Sequence, residues 1–505
     1  MIKMKNIILI LVGFALVLMS CEKFLEPKSQ SDYVPKDVVS LSEALLRQGY
    51  PTPGDQSQFL FSLNNLFDDD MDCTRENANH ANNPARTEKY KAYYSWHPQM
   101  FQITWDLGTY MTTWKAAYER IMGANATLDY VGKVEGSEDE KNYLKGQAYA
   151  LRAFYYFNLA NLWGEPYNHN KSALGVPLMT SSAMTADYPK RNTVDEVYSQ
   201  IMNDLSEAEK CFESLPANFR FIKDGRINMP VVQLMIARVA LFREDWETAK
   251  EYSKKVMDGW DLELLDLNSF TPTTAQPYYS FTKFTNPEAV WLYGSAIDVT
   301  RYLTDYVYLN PSSTAVIRRI FNASESLLNS FDQNDLRKDY YIIKESSTIA
   351  NYMAYGKVPV NSSYAVVTTD FGRAIRVSEA YLMYAESCSR LNDPASAIET
   401  LERLRRNRYK TGTGYSVPVN SRNGTALLEF IKEERRRELC FEGMRWFDLR
   451  RYGMPAFSRN WKENGVITAT FSLKEKDPAY TLPIPDDVIN RNVNLKQNKL
   501  GEAQY

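Results

Sequence analysis

Apolar residues recur at helical spacing over most of this chain. Leu41, Ala44 and Leu45 share one face and predict a first short helix over 41–47. From Trp105 to Val131 the stripe is Trp114, Ala117, Tyr118, Ile121, Ala124 and Leu128. Asn125 is its one polar member, and in a core its amide needs backbone partners. A second long helix runs from Lys141 to Trp163 through Ala148, Leu151, Ala153, Tyr155, Tyr156, Phe157, Leu159 and Leu162. Gly164 and Pro166 end it. Thr193, with Glu196 three residues later, is a capping box that opens a helix through Ile201, Leu205 and Ala208.

Two later stretches repeat one design. Met229 to Val256 carries small residues at Ala237 and Ala249, and Glu379 to Leu404 carries them at Ala385 and Ala397. Each has a short polar break, Arg243-Glu244-Asp245 in one and Leu391-Asn392-Asp393 in the other. Small residues at this offset let two antiparallel helices approach closely, as in tetratricopeptide pairs.

The pattern lapses in three places. Residues 51–99 hold prolines, several Asn and the acidic run Asp68-Asp69-Asp70, and read as a long polar loop rather than a helix. Residues 259–375 are rich in proline and tyrosine, which excludes long helices except around Ser324 to Phe331, while Glu288 to Tyr293 reads as a strand. Residues 454–479 also read as loop.

Residues 425–453 combine a helical stripe (Leu427, Leu428, Ile431, Leu439) with an unusual density of charge. Arg435 lies within the stripe, four residues from both Ile431 and Leu439. A guanidinium there needs close carboxylates, and Glu438, Glu442 and Asp448 are the nearby ones. Paired charges beside Trp446 and Phe447 point to a buried knot. The alternative, an anion site at Arg435 to Arg437, is opposed by the flanking Glu433, Glu434 and Glu438, which cancel the field.

This stretch also carries a resemblance. Glu434-Arg435-Arg436-Arg437-Glu438-Leu439, Phe441-Glu442-Gly443 and Arg445-Trp446-Phe447-Asp448-Leu449 resemble the C-terminal signature of the SusD/RagB family. Leu151-Arg152-Ala153-Phe154-Tyr155-Tyr156-Phe157, the Trp114/Tyr118/Ile121/Asn125 helix, Asn334-Asp335-Leu336-Arg337 and Leu482-Pro483-Ile484-Pro485 are similar to further motifs of that family, in the same order. The family's terminal E-I-xx-NP-x-L-x-QNPG is only partly kept, with Val488, Val493, Lys499 and Leu500 at four of its positions. The resemblance implies a mainly α SusD-like scaffold of tetratricopeptide-like helix pairs, with long irregular loops and a few short strands. It implies a surface lipoprotein that captures glycans and works with a SusC-like TonB-dependent transporter in the outer membrane.

The N-terminus fits that implication. Lys3 and Lys5 precede an apolar run from Ile7 to Met19 that is too short for a stable transmembrane helix. Leu18-Met19-Ser20-Cys21 is a lipobox, so cleavage would expose Cys21 for acylation and anchoring. The expected organisation is a signal peptide over 1–20 and one SusD-like domain over 21–505. Within it come a tether (21–35), an N-terminal helical part (36–260), a loop-rich segment (261–375) and a C-terminal helical part (376–505).

Composition narrows the chemistry. The formal net charge of −3 argues against nucleic acid as a partner. None of the five cysteines forms a CxxC pair; Cys388 and Cys440 fall on apolar helix faces and read as buried free thiols. Only three histidines are present, and no nucleophile elbow, HExxH motif or P-loop occurs, so neither a catalytic residue nor a cofactor is assigned. Asp68, Asp70 and Asp72 match the start of a calcium loop, but Cys73 and Asn79 stand where glycine and glutamate are needed, so no metal is assigned and the run reads as surface charge. Paired carboxylates of a glycoside hydrolase have no fixed spacing, which keeps that alternative open, beside a helical-repeat adaptor.

A sugar site needs aromatic platforms beside planar polar groups. Two segments offer both: Asp72, Arg75, Asn79 and Trp96 in one, and Tyr278, Tyr279, Tyr302 and Tyr306 in the other. Trp96 is the leading platform, held out of a regular helix by Pro98. The competing reading is that Trp96 plugs its loop onto the scaffold.

Overall fold

The computed structural model describes residues 35–53, 64–75, 84–104, 113–183, 188–273, 279–296, 306–310, 313–344, 352–353, 357 and 370–505. Cys21 and the lipobox lie outside them. Helices dominate: α1 (Val38–Gln48), α2 (Pro84–Tyr94), α3 (Thr113–Tyr130), α4 (Glu138–Trp163), α5 (Val194–Glu213), α6 (Met229–Phe242), α7 (Trp246–Asp258), α8 (Val377–Arg390), α9 (Pro394–Arg406), α10 (Gly424–Leu439) and α11 (Arg445–Arg451). Ser137 with Glu140 and Thr193 with Glu196 cap α4 and α5 as reciprocal boxes. The Asn125 amide donates to the carbonyls of Met179 (2.9 Å) and Ser181 (3.2 Å), as its place on the apolar face required.

The repeated design is a repeated structure. α6 packs on α7, α7 on α8, and α8 on α9. Ala237, Ala249, Ala385 and Ala397 are fully buried. Both turns are built alike: Glu244 (φ 60°) and Asn392 (φ 58°) are left-handed. Asp245 and Asp393 then cap the next helix by accepting from Thr248 N and Ser396 N.

Ten strands complete the described fold: β1 (Met71–Arg75), β2 (Ala289–Ser295), β3 (Tyr306–Asn310), β4 (Ser313–Arg319), β5 (Phe321–Ala323), β6 (Ile343–Lys344), β7 (Tyr352–Met353), β8 (Phe371–Arg376), β9 (Phe457–Glu463) and β10 (Val466–Leu473). One sheet has the order β10-β9-β1-β5-β7-β6; β2 with β8, and β3 with β4, form two-stranded sheets.

Two expectations are corrected here. Residues 51–99 are not all loop: β1 and α2 form there, because Thr87, Tyr90, Ala92, Tyr93 and Tyr94 bury one side of a short helix opened by Pro84. Residues 454–479 are not loop either. Asn464 (φ 52°) and Gly465 (φ 76°) make a two-residue turn of the left-handed kind that joins β9 to β10 as a hairpin.

Candidate functional site

The charged stretch of α10 and α11 is the buried knot that its pattern predicted. Arg435 is 1% exposed, and its Nε donates to both oxygens of Asp448 (3.0 and 2.8 Å). Glu379 lies 3.4 Å from the same guanidinium and is held by both nitrogens of a fork from Arg238 (3.0 and 2.6 Å). Arg451 ties Asp448 to Glu386. One turn on, Glu438 accepts from Arg408 (2.9 Å), Arg376 (2.9 Å) and Arg337 (3.2 Å). Burial alone would raise its carboxyl, but those guanidiniums hold it well below the usual range. Glu434 is depressed in the same way, against its burial, by Arg337, Arg405 and Arg437.

The acidic run joins this knot. Arg445 Nε donates to Asp69 (2.7 Å) and Arg436 Nε to Asp70 (2.7 Å). Asp68 and Asp70 are fully buried, so reading this run as surface charge is corrected. No group of metal-ligating side chains occurs among the described residues. Asp68 is raised well above its ordinary value by burial and by the neighbouring Asp70 and Asp69. Asp69 goes the other way: burial opposes ionisation, but Arg445 and Arg436 bring it down to about 2.

Asp69, Glu434 and Glu438 have folded pKa values below their unfolded ones. Their stabilisation is therefore complete above about pH 4.5 and is lost as the pH falls toward about 2. Urea midpoints should stay level from neutral pH to about 5 and drop steeply below about 4. An unchanged midpoint at about pH 3 would contradict this set of pairs.

This floor carries the two segments picked out for sugar binding. β1 pairs antiparallel with β5, with Asp72 opposite Asn322 and Cys73 opposite Phe321. β3 pairs with β4, with Tyr306 opposite Arg319. Arg75 ends β1, opposite Glu463 of β9, and so lies at the end of the ladder where β4 leads into β5. The passage from β4 into β5 thus brings the β3–β4 hairpin, with Tyr306 at its open end, to the end of the six-stranded sheet where Arg75 lies. Asp72 is half-buried, and its carboxylate accepts from Glu325 N (3.2 Å). Tyr279 is half-buried, edge-on to Phe270 and Phe281. Asn79, Tyr278 and Tyr302 lie outside the described residues.

Trp96 is corrected. Its ring is 1% exposed, its Nε1 donates to Phe67 O (2.9 Å), and it packs edge-on against Phe457 at 5.2 Å. The Arg459 guanidinium sits 4.1 Å from the ring centroid. The Trp96 backbone is left-handed, with φ 53°. Trp96 plugs its loop onto the scaffold.

The family profile described as "Starch-binding associating with outer membrane" matches residues 23–227, and that of the SusD family matches residues 285–501. The chain belongs to the SusD/RagB family. It is 26% identical over 443 residues to SusD-like protein P2 of Formosa agariphila, covering 78% of this chain and 81% of that one. A SusD superfamily protein of Bacteroides thetaiotaomicron superposes with a TM-score of 0.67 at 22% identity, covering 92% of this chain and 100% of the other. Surface glycan-binding protein A of the same species, solved with laminarihexaose, superposes with a TM-score of 0.63 at 16% identity, over 91% of this chain and 98% of its own. Among the described residues of this SusD-like chain, no helix is long and apolar enough to cross a membrane.

Sequence reading missed two parts of this SusD-like architecture. Arg459 spans from β9 to the carbonyls of Asp68, Leu66 and Tyr94, fixing the segment before β1 and the end of α2 against the hairpin. Its signal was the Asn464-Gly465 turn. A groove of about 910 Å³ between α3, residues 177–182 and residues 487–495 was also unforeseen, because its walls come from distant parts of the chain.

Proposed function

We propose that this protein captures an extracellular oligosaccharide or polysaccharide without cleaving it, and delivers it to a SusC-like TonB-dependent transporter. The observation that carries this reading is the shared fold with a glycan-binding protein solved with laminarihexaose, in a chain whose family is associated with starch binding at the outer membrane. The geometry adds support: an ion-paired floor beside the end of the six-stranded sheet where Arg75 lies, with the β3–β4 hairpin and Tyr306 leading into that end. Sites that bind sugars need such preorganisation, because ordering loops on binding costs affinity.

The test is a glycan array on the protein lacking residues 1–20, with products followed for each hit. Saturable binding with intact glycan supports capture. Released shorter sugars would favour the glycoside hydrolase reading.

In this proposal residues 1–20 are removed, Cys21 is acylated, and residues 21–35 tether the SusD-like unit to the cell surface. Outer membranes solubilised in mild detergent should yield the protein together with a large β-barrel transporter. Cys21→Ala should be missing from those membranes or stay unprocessed. A processed Cys21→Ala protein retained in the membrane, or the unaltered protein recovered alone across several growth sugars, would overturn the anchoring or the partnership.

A further inference from the structure

The groove beside α3 stands apart from the sugar-binding segments. Trp114, Tyr118 and Met122 succeed one another every four residues along α3, and Met179, Val488 and Leu495 face them from the other walls. Its volume of about 910 Å³ falls within the range of small-molecule pockets.

The walls are pinned, so the groove is preformed. The Tyr118 hydroxyl donates to Pro177 O (2.8 Å). Met179 O accepts from Asn125 Nδ2 and from the Tyr156 hydroxyl, each at 2.9 Å. Asn492 Nδ2 donates to Pro189 O (2.9 Å). The Trp114 ring is set edge-on to Trp163, with centroids 5.0 Å apart. Two methionines give such a surface the adaptability that suits a flexible apolar chain.

The rim is positive. Lys115 and Glu119 pair with each other at 3.5 Å. Arg47 and Arg491 are exposed and have no carboxylate partner among the described residues, and Asp487 is the one remaining anion. Arg120 adds a half-buried cation whose Nη1 donates to Arg47 O (2.9 Å).

We propose that this groove binds a long-chain amphiphile, with its acyl chain along Trp114, Tyr118 and Met122 and its anionic head at Arg47 or Arg491. The apolar floor argues against a free sugar, whose many hydroxyls would be left unpaired there. A free fatty carboxylate supplies both parts; the lipid on Cys21 has no anionic head to meet Arg47 or Arg491 and is the competing occupant.

The test uses cis-parinaric acid as fluorescent probe and palmitate as competitor, on the chain beginning at residue 22. The probe should bind saturably and be displaced by palmitate. Met122→Glu and Val488→Glu, on opposite walls, should each weaken binding about tenfold or more at an unchanged melting temperature. Replacing Arg47 and Arg491 together by alanine should weaken palmitate while leaving hexadecanol unaffected. Lipidated protein that takes up the probe would support a free amphiphile; lipidated protein that excludes it would identify its own acyl chains as the occupant and overturn that assignment. No saturable binding to the unaltered chain, or undiminished binding in both glutamate variants, would overturn the proposal.

Discussion

Arg435→Ala is expected to lower the stability of this protein by about 3–5 kcal/mol, the usual cost of breaking a buried ion pair. The reason is the count of charges around it. Arg435, Arg238 and Arg451 face Glu379, Asp448 and Glu386, three against three, all nearly or fully buried. Glu379 would keep Arg238 and Asp448 would keep Arg451, but the cluster would carry one buried negative charge with no counterion. Arg435→Lys keeps the charge but cannot span Asp448 and Glu379 as Nε and Nη2 do, so it should cost less than alanine. Urea unfolding of the three proteins gives the comparison. A loss under about 1 kcal/mol for Arg435→Ala would place the guanidinium in solvent.

Trp96→Ala is expected to cost about 3–5 kcal/mol as well, by a different route. The indole fills a site between Phe67, Phe457 and Arg459, and its Nε1 satisfies the Phe67 carbonyl. Alanine leaves a cavity and an unpaired carbonyl. The left-handed backbone at this position is unfavourable for a bulky side chain and persists because the packing around it demands it. The melting temperature should fall, while the folded fraction keeps its glycan affinity. A loss of affinity at an unchanged melting temperature would return Trp96 to the ligand surface.

The helical scaffold was legible because its signals are local. The capping box at Thr193 and the alanines twelve residues apart need only a few neighbours to have their meaning. Arg435 was legible for the same reason: a cation in an apolar stripe has one stable solution. The sheet was not, since β1 joins β9 and β5 from segments hundreds of residues apart. That long-range pairing buries Asp68 and turns Asp69 and Asp70 from apparent surface charge into partners of Arg445 and Arg436. Trp96 was misplaced because Pro98 and polar neighbours mark a loop without saying which way its aromatic ring turns. The family motifs carried more than spacing did, since each lies in the scaffold and few lie where ligand specificity would be set.

In the proposed mode of capture, the end of the six-stranded sheet at Arg75, with the β3–β4 hairpin beside it, is the glycan surface above an ion-paired floor. Titration calorimetry tests it most directly, using a glycan found on the array and the protein lacking residues 1–20, with Arg75→Ala and Tyr306→Ala beside it. Saturable binding is expected, weakened about tenfold or more in each variant, at a melting temperature equal to that of the unaltered protein. Full affinity in both variants, at that same melting temperature, would contradict it.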